Sequence, residues 1–153
     1  ADIAIRHVRP EQPELIARKI TDVTARLYVS ERYLEVFGRP LTLETLPQAD
    51  FISLWSPDTY LGGLVQAGLL IDRSNLTILT DSHLVHWEML KAGAGIGMVP
   101  EFLGKATPGI VPAFDGAYAP FTFPIWLTTH RELNTSRRVR MVFDFLAEEL
   151  ARS

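Results

Sequence analysis

The sequence contains no cysteine, so it holds no disulfide framework and no thiolate metal site. It has no surplus of positive charge: 15 Lys and Arg stand against 18 Asp and Glu, a formal charge of −3. That argues against nucleic-acid binding as a task of this chain alone, because such binding rests on a basic surface. No apolar run approaches the roughly 18 residues of a membrane span. The longest apolar-looking stretch, 64–71, is broken by Gln66 and Gly68. The start lacks the basic head and long apolar run of a signal peptide. It also lacks Met, and Asp2-Ile3-Ala4-Ile5 alternates like a strand already under way. The sequence is therefore expected to be a piece of a longer protein. With 47% apolar and 22% charged residues over 153 positions, it lacks the composition of a disordered chain and is long enough to bury a core.

What is present is an alternation of short strands and helices. Residues 1–6 read as a strand, and 15–20 and 26–29 as two extended pieces joined at 21–24. Ser30 is placed to cap a helix over 31–37, which Gly38 ends. Thr42 caps one turn over 43–46, stopped by Pro47. Residues 51–55 read as a strand, 60–70 as a helix and 76–79 as a strand. Thr80-Asp81-Ser82 offers caps for a helix over 83–92, with Leu84, Trp87 and Leu90, flanked by Val85 and Met89, as its buried stripe. A strand over 96–99, one turn over 101–105 and a strand over 123–130 follow. The last helix starts at Asn134, Thr135 or Ser136 and runs to about 151. Val139, Val142, Phe143, Leu146 and Leu150 share one of its faces. This order predicts an α/β fold with a largely parallel sheet.

Few motifs carry chemistry. Gly93-Ala94-Gly95-Ile96-Gly97 follows a helix instead of opening one and fails the spacing of a dinucleotide loop. It reads as a tight turn that needs small residues. His83 and His86 sit three apart on one helix, a spacing that can chelate a metal. Solvated or hydrogen-bonded histidines are the preferred reading, because no His-Glu-x-x-His pattern supports a site. No nucleophile elbow is present. The stronger candidates are polar residues at strand ends, since ligands of open α/β sheets bind beyond the carboxyl ends of strands and near helix N-termini. These are Arg6 and His7 after the first strand, Trp55, Ser56 and Thr59 after the 51–55 strand, and Thr80 and Asp81 after the 76–79 strand. Ser56, Thr59 and Asp81 also have the simpler reading of helix caps.

Several segments together resemble the effector-binding domain of LysR-type transcriptional regulators. They are ADIAIR at 1–6, LIARKI…LYVSERYLEVFGRPLTLETL within 15–46, TDSHLVHWEMLKAGAGIGMVP at 80–100, PGIV at 108–111 and IWLTTHRELNTSRRVRMVFDFLAEEL at 125–150. They follow the family's order and cover nearly the whole chain. The resemblance implies an α/β, periplasmic-binding-protein-like (type 2) fold of two lobes joined by crossing strands. Lobe I would be 1–24 with 122–153, and lobe II would be 25–121. It also implies that the helix-turn-helix and the first two strand–helix units of lobe I lie outside this sequence, so that the first lobe is incomplete here.

The function so implied is sensing of a small, often anionic effector between the lobes of a cytoplasmic DNA-binding regulator, with no enzymatic activity and no cofactor. The regulator would be a homodimer or homotetramer that meets DNA only through the absent domain. His7 matches an effector-contacting position of the family, and Leu54, Trp55, Ser56 and Thr59 match the facing segment. Arg6, Thr80 and Asp81 are weaker members, Asp81 because it would repel an anion. A solute-binding protein of the same fold is the alternative. An enzyme of that fold would need a catalytic set that the sequence does not offer.

Overall fold

A computed structural model describes residues 1–152. The chain forms two compact units, one of Ala1–Val23 with the stretch from Thr122 onward, the other of Thr24–Phe121. Among the described residues no helix is long and apolar enough to cross a membrane.

The first unit is built on β1 (Ile3–Arg6), the first part of β2 (Leu15–Ser30), β7 (Phe121–His130) and α5 (Arg137–Ala151). The strand order is β1-β7-β2. β1 runs antiparallel to β7, with Ile3 opposite Thr129 and Arg6 opposite Trp126. α5 starts at Ser136, whose hydroxyl accepts a hydrogen bond from the Val139 N–H. That bond satisfies one of the free amides of the first turn. The helix buries Val139, Phe143 and Ala147, a four-residue repeat. Phe143 and Ala147 pack on Leu127 of β7, with Ile3, Ile20 and Leu146 around them. Val142 is not part of this stripe: it is 42% exposed, because the helix turns its 139–143–147 row toward the sheet and 142 lies about 100° away from 143.

The second unit holds the remainder of β2, α1 (Glu31–Phe37), β3 (Phe51–Leu54), α2 (Pro57–Gln66), β4 (Leu76–Thr80), α3 (His83–Lys91), β5 (Gly97–Pro100), α4 (Glu101–Ala106) and β6 (Ile110–Pro112). The expected break at 21–24 does not occur: β2 is one strand of 16 residues. Its second half is paired by β5 from Ala25 and by β6 from Tyr28, and local propensity does not register such pairing. The sheet is not largely parallel. β2 runs antiparallel to both β5 and β6, and the parallel pairing is β3 with β4, plus a bridge from Phe51 to Ile96. Long β2 forces this outcome, because the short strands β5 and β6 return along it.

Ser30 and Gly38 bound α1 as expected, the glycine at φ 71°, where a Cβ would be strained. The turn expected to be capped by Thr42 forms over 43–45, with Thr42 Oγ1 accepting from the Thr45 N–H at 3.4 Å. Pro47 does not stop the chain there: a 3-10 turn over Leu46–Gln48 follows, since proline fits the first positions of a helical turn. Buried Asn75 anchors that turn. Its amide donates to the carbonyls of Leu46, Pro47 and Ala49 at 3.0–3.2 Å, and its Oδ1 accepts from the Asp72 N–H at 3.0 Å. The core joins Tyr28, Ile52, Leu90, Val99 and Ile110. Gly104 lies flat on the Tyr28 ring, so closely that a Cβ there would collide with it.

α3 buries only part of the expected stripe: Leu90 and Trp87 pack in the core, but Leu84 does not. Leu84 is 70% exposed and Val85 is also exposed, while His86 and Leu90 are fully buried. The reason is the close approach of β5: a Cβ on Gly97 would stand 2.6 Å from Leu90 Cδ1 and 2.7 Å from His86 Cε1. The bare Gly97 backbone makes the hollow that accepts the imidazole.

Candidate functional site

The candidate site grows from the C-terminal ends of the parallel pair β3 and β4. Leu54 lies opposite Thr80, so the segments that leave the two strands are neighbours although 26 positions separate them in sequence. All four residues of β3 are buried, which makes the strand a rigid base. Leu54 itself belongs to that core. Trp55 then turns the chain at φ 60°, a left-handed conformation that is strained for a bulky residue. Ser56 follows as the cap of α2. Its hydroxyl accepts from the Thr59 N–H at 3.2 Å and donates to Thr59 Oγ1 at 2.9 Å. Pro57 occupies the first helical position.

Trp55 is 37% exposed. Its indole meets the Tyr60 ring edge-on at 6.3 Å and the His83 ring at 5.9 Å. His83 opens α3, which Ser82 caps by accepting from the Val85 N–H at 3.3 Å. Thr80 Oγ1 accepts from the Ser82 N–H at 3.1 Å, so that hydroxyl serves its own turn. Asp81 is exposed. The structure thus gathers Trp55, Ser56, Thr59, Tyr60 and His83 at one sheet edge. Tyr60 and His83 are absent from the sequence-based candidates for the ligand site. The signal for His83 was its place in the first turn after Thr80, and it became readable only through the β3–β4 pairing.

His83 and His86 occupy different environments. His83 is exposed beside Trp55, whereas His86 is 1% exposed and its Nε2 has no hydrogen-bond partner among the described residues. Burial pushes the His86 pKa down to about 4, helped by nearby His83 and opposed by the Ile52 backbone. Two buried hydroxyls, Ser53 Oγ and Tyr60 Oη, are likewise unpaired. Burial raises the Tyr60 phenol well above its ordinary pKa, opposed by the nearby Met98 backbone, which is too poorly placed for a good hydrogen bond. An unpaired buried hydroxyl contributes nothing to offset its desolvation. Tyr60→Phe is therefore expected to leave stability unchanged or raise it by up to about 1 kcal/mol, read from urea unfolding. A clear loss would show that the phenol is hydrogen-bonded in solution.

In the first unit, Arg6 ends β1 and His7 follows it, both exposed. His7 meets the Phe123 ring edge-on at 6.2 Å, and Arg9 lies over the Trp126 ring at 5.7 Å. Residues 5–12 line an open depression of about 590 Å³.

Two units, a chain that passes between them twice and helices opening at the ends of parallel strands define a type 2 periplasmic-binding-protein-like fold. The chain belongs to the LysR substrate-binding domain family, whose model matches residues 1–151, and it is a ligand-sensing regulatory domain of that family. Solved structures similar to it include the regulatory domain of CrgA, a LysR-type transcriptional regulator from Neisseria meningitidis (TM-score 0.77, 24% identity, covering 97% of this chain and 75% of that one). The full-length virulence activator AphB of Vibrio cholerae is another (TM-score 0.69, 20% identity, 96% of this chain and 51% of that one). A Citrobacter freundii effector-binding domain carrying three substitutions is a third (TM-score 0.73, 15% identity, 97% and 75%). The chain thus spans about half the length of full-length AphB. No curated protein sequence matches it.

Proposed function

We propose that this chain is the effector-sensing part of a longer, cytoplasmic transcriptional regulator that contacts DNA through a separate helix-turn-helix domain. The observation that carries the reading is the cluster at the ends of β3 and β4. Its two capped helix starts offer backbone N–H groups that favour an anion. The Ser56 and Thr59 hydroxyls lie there, and the strained Trp55 indole walls it on one side. His7, in the other unit, is the proposed contact there. Arg6, Thr80 and Asp81 are secondary, since Thr80 already serves the α3 turn. A net charge of −3 supports DNA contact by a separate domain.

The same reading includes self-association as a homodimer or homotetramer. Leu79 on β4 and Leu84 and Val85 on α3 are exposed apolar side chains of the type that an interface between copies covers.

In the full-length regulator, single substitutions His7→Ala, Ser56→Ala and Thr59→Val should each shift the effector dose–response of a reporter while leaving promoter affinity near wild type. A reporter assay with matched DNA titrations measures both. Unchanged dose–response in all three variants would reject the assigned contacts.

A further inference from the structure

The chain leaves the second unit twice, at Thr24 on β2 and at Phe121 on β7. Both exits converge on one side chain, Tyr118. In an antiparallel ladder a residue presents its N–H and its C=O to the same neighbour. β6 pairs with β2 as far as Tyr28 opposite Pro112, and the Leu27 carbonyl still accepts from the Ala113 N–H at 2.9 Å. The Leu27 N–H should then find the next carbonyl of the same strand. It does not, because Phe114 adopts φ 53° and turns the chain away. Tyr118 Oη takes its place, accepting from the Leu27 N–H at 2.7 Å. The Tyr118 ring also meets the Phe121 ring at 6.0 Å. One residue before Leu27, Arg26 Nε pairs with Glu101 Oε2 at 3.2 Å, and Glu101 pairs in turn with Lys105.

We propose that Tyr118 is a positioning residue for ligand sensing: it braces both crossing strands where they leave the second unit and so sets how freely the two units move. The inference rests on the two-unit sensing function above, yet its test needs no ligand, so the two can fail separately. The first three residues of the crossing, Thr24, Ala25 and Arg26, precede the braced amide directly. Loss of the phenol hydroxyl frees that amide, and loss of the ring contact frees the start of β7.

The absence of cysteine makes the experiment direct. Gln66→Cys on α2 and Arg138→Cys on α5, both exposed, carry a pair of spin labels, and the distance distribution between them is measured by double electron–electron resonance. Tyr118→Phe should widen that distribution about twofold, with Leu27 amide exchange about tenfold faster. Val36→Ala, at an exposed position of α1 in the same unit, should change neither. Phe121→Leu should widen the distribution in the same direction as Tyr118→Phe, and it decides alone should Tyr118→Phe fail to fold. Wild-type width in the folded variants, even with lowered stability, would overturn the proposal and leave Tyr118 a structural residue only.

Discussion

Phe143→Ala should lower the unfolding free energy by roughly 3–5 kcal/mol, the range for removing a buried aromatic side chain. Phe143 is 7% exposed and rests with Ala147 on Leu127, the fully buried residue of β7. β7 lies between β1 and β2, so the hollow left by the ring opens over the middle of the sheet, where backbone collapse is most restricted. Ala147 is too small to fill it, and Leu146 already packs against the cluster. Val142→Ala, on the exposed side of the same helix, should cost within about 0.5 kcal/mol. Urea unfolding of the two variants at neutral pH makes the comparison. Equal losses would mean that α5 presents another face to the sheet.

The second large effect is a pH dependence. The His86 imidazole is buried against Gly97 and Leu90, and burial lowers its pKa to about 4. In the unfolded chain a histidine titrates near about 6.5. Between these values the unfolded state binds the proton and the folded state does not. Stability is therefore complete above the unfolded value and falls as the pH drops toward 4. The loss should reach about 2 kcal/mol by pH 5 and approach about 3 kcal/mol near pH 4. Glu101 is held below its ordinary pKa of 4.5, first by Lys105 and then by Arg26. It acts in the same direction, but only below that ordinary value, so the two windows separate. His86→Leu removes the titrating group at similar volume. It should flatten the unfolding free energy between pH 7 and 5 relative to wild type. Parallel curves for the two proteins would exclude His86 as the source.

Ser30, Ser56, Ser82 and Ser136 each cap a helix in the structure; the sequence alone singled out Ser30 and offered the other three among several candidate caps. A cap is a hydrogen bond between a side chain and an amide two or three residues on, so its whole physics lies within one turn of chain. Gly38 was legible for the same reason. Local patterns likewise located most of the strands and helices, with α2 a few residues out and with β6, in a stretch rich in Pro and Gly, read as loop.

Local sequence was enough to place most helix starts, the α/β class and the polar residues at the strand ends, while α2 begins at Pro57, three residues before the position read from sequence. Tertiary structure alone decided which way the strands run, which helix face is buried and which distant residues meet. β2 runs on through 21–24 as one strand, and its second half pairs with β5 and β6 from Ala25 onward. α3 buries His86 instead of Leu84 because Gly97, eleven positions beyond His86, leaves room for a ring. Trp55 and His83 become neighbours because β3 and β4 lie parallel. Each of these depends on the surface a residue is pressed against, and that surface is supplied by chain remote in sequence, where no local pattern of hydrophobicity or capping carries its imprint.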